Sequence, residues 1–508
     1  MVDTRDVVIG LDSSTTATKA IAWNRDGSVA GMGRCPIPLA SLGHDRYEQN
    51  PEDWWSAATS ALRQLVRQVS PERIAALAIS NQRETFVPLD SKGRPVRPAI
   101  VWLDQRCGKE VAWLTGKVGA DNIHRISGKP PDMAPVAYRI AWMLRSEPEL
   151  FRSTAMFADV HAYLVWRLTG AFLTSWASAD PLGLFDMEKK AWSPEVMRAL
   201  ELCPDQLPRL AAPGSAIGAV SAAAAAETGL APGTPIVAGG GDGQAAGLGV
   251  NALNPACAYL NLGTAVVSGT YSKQYRIGTA WRTMGSCSGE GYYYETSLRA
   301  GTFLVEWFVR HVCRAAEEDT AIYQRLEAEA ASVPIGSGGL LAVPYWGAVM
   351  TPYWDPEARG CFVGFTGSHR IGHMYRALLE GIALEQALVT NMIEEQTGVR
   401  IEAFVAIGGG AASDLWCQIM ADACGKTVRR SRTVEASSLG AAVCAAVGAG
   451  WYPTAADAAE AMAGEIAREI EPVAHQAARY AELMEIYREI YPRLRDSFAK
   501  LSHFSAAE

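Results

Sequence analysis

The sequence reads as a succession of strands and helices, and three observations carry that reading. Short apolar runs of strand length recur along the chain, stretches with apolar residues at helical spacing lie between them, and polar motifs stand where the runs end. The runs cover residues 7–11, 74–79, 99–102, 235–238, 258–262 and 403–407. In a doubly wound sheet ligands bind at the carboxyl ends of the strands, so the polar motifs there are the candidates for function.

At 508 residues the chain has room for about three domains, or for two large ones. With 49% hydrophobic and 20% charged residues it is composed like an ordinary soluble globular protein. A formal net charge of -8 argues against sequence-independent nucleic-acid binding, which needs a basic surface to displace counterions. Asp3, Arg5 and Asp6 precede the first apolar run, and no apolar span is long enough for a bilayer. The expectation is a cytoplasmic protein with neither signal peptide nor membrane anchor. Ten scattered cysteines without a CxxC pair suit reduced thiols.

The run at residues 7–11 opens into Asp12, Ser13, Ser14, Thr15, Thr16, Ala17, Thr18 and Lys19 before apolar character resumes at Ala20. This reads as a hairpin with a polar tip. Its hydroxyls and turn amides suit phosphate oxygens and its carboxylate suits a hydrated Mg²⁺, although Ser/Thr-rich turns are also common as plain loops. Asn50 then supplies an N-cap, Pro51 a first helical residue, and Glu52 and Asp53 two acids in the first turn. A helix starts there, with Trp54, Ala58, Leu62, Leu65 and Val69 on its buried face. The strand at residues 74–79 delivers Ser80, Asn81, Gln82, Arg83, Glu84 and Thr85 at its carboxyl end. Arg83 and Glu84 can donate to and accept from a polyhydroxylated substrate, or form a surface ion pair. Residues 99–102 make another strand, and residues 148–235 read as helices and loops.

The stretch PIVAGGGDGQAAGLGVNALNPACAYLNLGTAVVSGT, residues 235–270, organises the chain. A short strand at 235–238 meets Gly239, Gly240 and Gly241, read as a tight turn, and then Asp242, the only formally charged residue before Lys273. A second strand at 258–262 ends in Gly263 and Thr264, whose backbone NH groups suit phosphate oxygens. A glycine-rich turn with Asp242 capping the next helix accounts for the same residues.

His369 and His373 stand four apart, but no third ligand lies at a suitable spacing, so no metal site is expected there. Residues 371–397 read as a long helix and 403–407 as the strand after it. Gly408, Gly409 and Gly410 then open a helix through Leu415 and Ile419, a place where a nucleotide base or ribose can approach the backbone, or an ordinary strand-to-helix turn. Tyr480, Leu483, Tyr487, Ile490 and Leu494 form a closing amphipathic stripe, interrupted at Pro492. The patterns GxxxxGK[ST] and GxSxG are missing, which removes the main support for P-loop and serine-hydrolase readings.

Taken in order, these motifs are the succession found in one superfamily, and the chain resembles the FGGY carbohydrate kinases over nearly its whole length. The most specific piece is Gly364 and Phe365 followed by His373, Met374, Tyr375, Arg376, Ala377, Leu378, Leu379, Glu380 and Gly381, which looks like the family's second signature. In the earlier signature Trp142 matches, and Arg139 stands where a lysine is usual. The resemblance implies two actin-like (ribonuclease H-like) α/β domains, residues 1–249 and 250–508, with a cleft between them. It implies that ATP is held by Thr15 and Thr16 from one half and Gly263 and Thr264 from the other, with Gly409, Gly410 and Asp414 around the adenosine. Asp242 is the implied catalytic base, Asp12 the implied holder of Mg²⁺, and Arg83, Glu84, Asp242 and Gln244 the implied substrate contacts. Ser14 replaces a usual glycine and would crowd the phosphates unless it points away.

The substrate motifs divide. Ser80 to Thr85 resembles glycerol kinases, whereas Glu48 to Trp55, the Gly-Gly-Gly-Asp of the base and Ser413 to Gln418 resemble xylulokinases. Ala134 and Gly243 fall where glycerol kinases carry a tyrosine and a glutamine, which implies a roomier pocket. The expectation is therefore ATP-dependent phosphorylation of a small sugar or polyol, a ketopentose such as xylulose before glycerol or another polyol. A non-enzymatic actin-like nucleotide switch is the alternative, and it predicts ADP production independent of sugar. The partners expected are a small sugar or polyol, neither nucleic acid nor membrane, in an assembly compatible with a homodimer.

Overall fold

The computed structural model of the chain describes residues 5–43, 45–316, 319–464 and 466–505. The first apolar run becomes β1 (Val7–Ser13), and the chain returns antiparallel through β2 (Ala17–Asn24) and β3 (Val29–Pro36). β4 (Ile74–Asn81) lies parallel to β1. After β5 (Ala216–Ala219), β6 (Pro235–Gly241) lies parallel to β4, so the sheet runs β5-β6-β4-β1-β2-β3. β1 and β4 are buried along their whole length, as strands covered on both faces must be. Their side chains alternate accordingly: Val7, Ile9 and Leu11 pack toward Trp54, Ala58 and Leu62 of α1 (Pro51–Leu65), while Val8 faces Leu439 and Ala441 on the other side. α1 begins as its sequence demands, the Asn50 side chain accepting the Glu52 N–H.

The second sheet repeats this plan. β7 (Cys257–Leu262) pairs antiparallel with β8 (Val266–Ser272), β9 (Arg282–Gly285) and β10 (Tyr292–Leu298) extend that edge, and β11 (Ala403–Ile407) and β12 (Thr427–Ser431) follow in parallel. β13 (Ile466–Ile470) closes it antiparallel, in the order β9-β10-β8-β7-β11-β12-β13.

Each sheet is covered on its inner face by a helix that follows a strand of the other. α2 (Asp242–Gly249) leaves β6 of the first sheet, yet Ala246 packs with Tyr259, Tyr293 and Val405 of the second. On the outer face of that second sheet, Leu378 and Ile382 of α3 (Ile371–Thr397) and Trp416 and Met420 of α4 (Asp414–Cys424) meet Leu260 and Phe404. α5 (Ala436–Gly448) leaves β12 of the second sheet and lies on the first. There the Ser438 Oγ donates to the Gly10 carbonyl at 2.9 Å and accepts from Trp23 Nε1 at 3.1 Å. Only glycine fits such contact: a Cβ at Gly10 would lie 1.9 Å from the Ser438 carbonyl, and one at Gly440 1.8 Å from that of Ala245. This explains the alanine-rich composition of residues 436–448, where the two halves meet through backbone.

Four readings change. Gly239, Gly240 and Gly241 are not a turn but the end of β6; a Cβ at Gly239 would stand 2.0 Å from the Ile79 carbonyl, so the glycines serve close approach rather than bending. The run at 99–102 is a strand only over Ala99–Ile100. Residues 148–235 contain strands of two to four residues, such as Met156–Asp159 and Leu173–Ser175, too short for periodicity to show. The closing stripe is one helix, α6 (Ala474–Ser505), which continues through Pro492.

α6 is fastened by three tyrosines to buried carboxylates. Tyr480 donates to Glu380 at 3.0 Å, Tyr487 to Glu385 at 2.7 Å and Tyr491 to Asp355 at 2.5 Å. Among the described residues Glu385 receives only Tyr487 and Tyr345 and its Oε1 has no partner, and burial pushes its pKa up to about 7. A carboxyl raised on folding contributes stability fully present below its unfolded pKa and lost as pH rises through the folded value. Wild-type stability should thus fall relative to Glu385→Gln between pH 4.5 and about 7, by up to about 3 kcal/mol. Chemical denaturation at pH 5 and pH 8 measures this, and an unchanged gap between the two proteins would contradict it.

Candidate active site

The carboxyl ends of β1, β4 and β6 bring together residues far apart in sequence. Register places Asp12 opposite Ser80, Ser80 opposite Gly240, and Asn81 opposite Gly241, so Asp12 and Asp242 emerge on one edge with Arg83 and Glu84 just beyond. Asp242 is the first residue of α2. Its Oδ1 accepts the Gly243 N–H at 2.8 Å and lies 3.0 Å from Arg83 Nε, while its side chain keeps 40% of its surface exposed. A carboxylate at a helix N-terminus is favoured by the helix dipole. Burial raises the Asp242 pKa, and the Arg83 guanidinium pulls it back.

Asp12 is nearly buried and accepts one hydrogen bond, from Ser80 Oγ at 2.9 Å. Burial and the neighbouring Asp242 charge push its pKa up to about 7. The nearest candidate counter-charge, Lys19, is bound to Glu435 of the second half at 2.7 Å. Two acids, with no side-chain cation shown on Asp12 among the described residues, offer oxygen donors of the kind a hard divalent cation takes.

Arg83 and Glu84 belong to a buried ion network. Arg83 Nη1 donates to both oxygens of Glu295, at 2.9 and 2.8 Å; Arg282 donates to Glu295 through Nε at 2.8 Å and to Glu84 through Nη1 at 2.7 Å; and the Tyr259 hydroxyl donates to Glu295 at 2.6 Å. Although burial opposes it, Arg83 and Arg282 hold the Glu295 carboxyl down to about 2. Glu84 takes a left-handed backbone, φ 49°. Arg139, the departure from the first signature, is wholly buried and braces this loop, donating to the carbonyls of Glu84, Ala134 and Trp102 at 2.9, 2.9 and 2.8 Å. Ala134 is thereby placed beside Glu84.

Two expectations about this pocket are corrected. Gln244 is fully buried, its Nε2 donating to the Ala177 carbonyl and to Asp180 at 2.9 Å each and its Oε1 facing Arg83, so it offers a ligand nothing directly. Gly243 does not leave room for a substrate: a Cβ there would lie 2.9 Å from both Arg83 Nη2 and Glu295 Oε2. The missing side chain is filled by the ion network, and only Ala134 is left to argue for a wider pocket.

Of the residues expected at a nucleotide, Thr16 and Thr264 stand exposed at the tips of the β1–β2 and β7–β8 hairpins. Thr15 Oγ1 accepts from Trp102 Nε1 at 2.9 Å, and Ser14 Oγ donates to the Ala17 carbonyl at 2.9 Å, so Ser14 turns back into its own hairpin. The Gly263 and Thr264 carbonyls accept from Thr302 and Gly301, at 2.7 and 2.9 Å, which pins the second tip. Parallel pairing of Asn261 with Ile407 sets Gly408, φ 82°, beside that tip. Of the three residues expected around an adenosine, Gly409 alone is open. A Cβ at Gly410 would meet the Trp416 ring at 2.5 Å, and Asp414 is paired with Arg430 at 2.6 Å and with Arg468.

Sequence reasoning missed Tyr259, Arg282, Glu295, Asp180 and Lys129. A signal existed for the central pair: Arg282 and Glu295 are lone charges in strand-like runs, and β9 and β10 set them directly opposite each other. Lys129 lies in a loop and Asp180 opens the short 3₁₀ helix Asp180–Leu182; they stand 3.6 Å apart, and burial lowers the lysine pKa to about 8 and raises the acid to about 6.

Comparison with known proteins returns two family models, the FGGY family of carbohydrate kinases N-terminal domain over residues 7–249 and its C-terminal domain over residues 258–449. A xylulose kinase of Bacillus subtilis is 30% identical over 501 residues, 98% of this chain and 99% of that one. A gluconokinase of the same organism is 26% identical, covering 98% of each, and a glycerol kinase of Saccharolobus islandicus is 31% identical, covering 88% of each. The ligand-bound xylulose kinase from Lactobacillus acidophilus superposes with a TM-score of 0.91 at 25% identity, over 97% of this chain and 99% of that one. The repeated sheets with their exchanged helices are thus the two actin-like, ribonuclease H-like halves of that fold.

Proposed function

The chain belongs to the FGGY family of carbohydrate kinases, which use ATP, and from that premise we propose that it phosphorylates a hydroxyl of a ketopentose such as xylulose. The observation that carries the site assignment is Asp242, half-exposed at a helix N-terminus and held through Oδ1 by Arg83 and the Gly243 N–H. Its other oxygen takes the proton of the attacking hydroxyl, and Arg83 orients the carboxylate. Asp12, with Ser80 behind it, is the residue that would hold Mg²⁺; when bound, the ion offsets charge on the transferring phosphoryl group. Thr15, Thr16, Gly263 and Thr264 are assigned to the phosphates and Gly409 to the adenosine, with Gly410 and Asp414 shaping that turn from behind. Gln244 supports Arg83 and Asp180.

The ketopentose is favoured by Ala134, whose carbonyl shares Arg139 with that of Glu84 and whose methyl group would press less on a longer substrate than the tyrosine glycerol kinases carry. Loose placement costs rate because in-line attack needs the hydroxyl close to phosphorus. Glycerol is the second reading, favoured by Arg83 and Glu84 standing next to each other just beyond β4, as in the glycerol-kinase motif. A panel of sugars, aldonic acids and polyols in a coupled ADP assay should give xylulose, or a four- or five-carbon polyol, a higher kcat/KM than glycerol, and Ala134→Tyr should narrow that gap. Glycerol as the best acceptor of the unmutated protein would overturn the ketopentose reading.

A further inference from the structure

We propose that Glu295, contributed by the second half of the chain, is a positioning residue for phosphoryl transfer: it fixes the Arg83 guanidinium against Asp242, so that base and arginine are assembled by both halves together. The inference rests on Asp242 being the base and extends it. Arg83 spends Nε on Asp242 at 3.0 Å and Nη1 on Glu295 at 2.8 Å, so one planar fork spans two carboxylates from opposite halves. Glu295 is fully buried and accepts from three partners, Arg83, Arg282 and Tyr259, a charge-assisted arrangement with little freedom to shift. Arg282 carries the restraint on to Glu84. Gly243 completes the device, since any side chain there would displace both Arg83 and Glu295.

The division of Arg83 between two acids has a chemical consequence. An arginine given wholly to Asp242 would stabilise the carboxylate and make it a weaker base; sharing it with Glu295 holds the geometry while leaving Asp242 more basic. A buried arginine also needs a counter-charge that persists when the base is protonated in the reaction, and Glu295 is that charge.

The test uses the full-length protein with ATP and xylulose, and glycerol as second acceptor. Glu295→Gln should lower kcat by about 10²-fold with the KM for ATP changed by less than about twofold, because a misplaced base costs rate without touching nucleotide contacts. Combined with Arg83→Met it should add less than about threefold to the loss caused by Arg83→Met alone, since one residue acts through the other. Tyr259→Phe, which removes one hydrogen bond and no charge, should lower kcat by about 3- to 10-fold and serves if Glu295→Gln does not fold. Wild-type kcat in Glu295→Gln or in Tyr259→Phe, or full multiplication of the two losses in the double variant, overturns the inference. If Asp242→Asn is inactive while Glu295→Gln is not, the positioning role alone fails; if Asp242→Asn is active, the base assignment fails first.

Discussion

Replacing Asp242 by asparagine is expected to reduce sugar phosphorylation by about 10²- to 10⁴-fold, the range set by loss of a general base, with ATP affinity unchanged. Asparagine keeps the shape and can still accept the Gly243 N–H, but it cannot take a proton. The nucleotide candidates are carried by the two hairpin tips and the Gly408 turn, and among the described residues none of them bonds to the Asp242 carboxylate, so titration calorimetry with a non-hydrolysable ATP analogue should give the wild-type constant. Wild-type turnover in this variant would show that Asp242 is not the base. Weakened analogue binding would show that the residue serves the nucleotide.

Arg83→Met should show the second large effect, a loss of about 10²- to 10³-fold in kcat/KM for the sugar together with a stability loss of about 3 kcal/mol. The two losses have different origins. Activity falls because Asp242 loses its orienting partner at 3.0 Å, and stability because Glu295 and Asp242 are left with less counter-charge inside the protein. Arg83→Lys should recover part of the stability but little of the rate, since an ammonium cannot span Asp242 and Glu295 as a planar fork does. Equal recovery of both by lysine would mean that Arg83 supplies charge and no geometry.

Much of the fold was legible because its elements are long or capped. Residues 371–397 and 403–407 read as the helix and strand they are, and Asn50 and Pro51 mark the start of α1. Legibility failed where tertiary contact decides the outcome. Gly239, Gly240 and Gly241 look like a turn by composition, yet they are glycines because Ile79, Ala177, Cys287 and Arg83 press against them. Pro492 looks like a break, yet Tyr487 and Tyr491 fasten the helix before it and Arg495, whose Nε donates to Asp355 at 3.1 Å, fastens it after. At the site, Asp12, Arg83 and Asp242 were visible as charges at strand ends. The meaning of Gly243 was not, because nothing local announces that Glu295, fifty-odd residues later, fills the space beside it.

The measurement that tests the central claim most directly is the yield of phosphorylated sugar against ADP, by mass spectrometry, for the wild-type protein and Asp242→Asn with ATP, magnesium and xylulose. The predicted result is one sugar phosphate per ADP in the wild type, little ADP when xylulose is omitted, and no detectable sugar phosphate from the variant over the same interval. ADP formed at one rate with or without sugar, or sugar phosphate formed equally by both proteins, would contradict it.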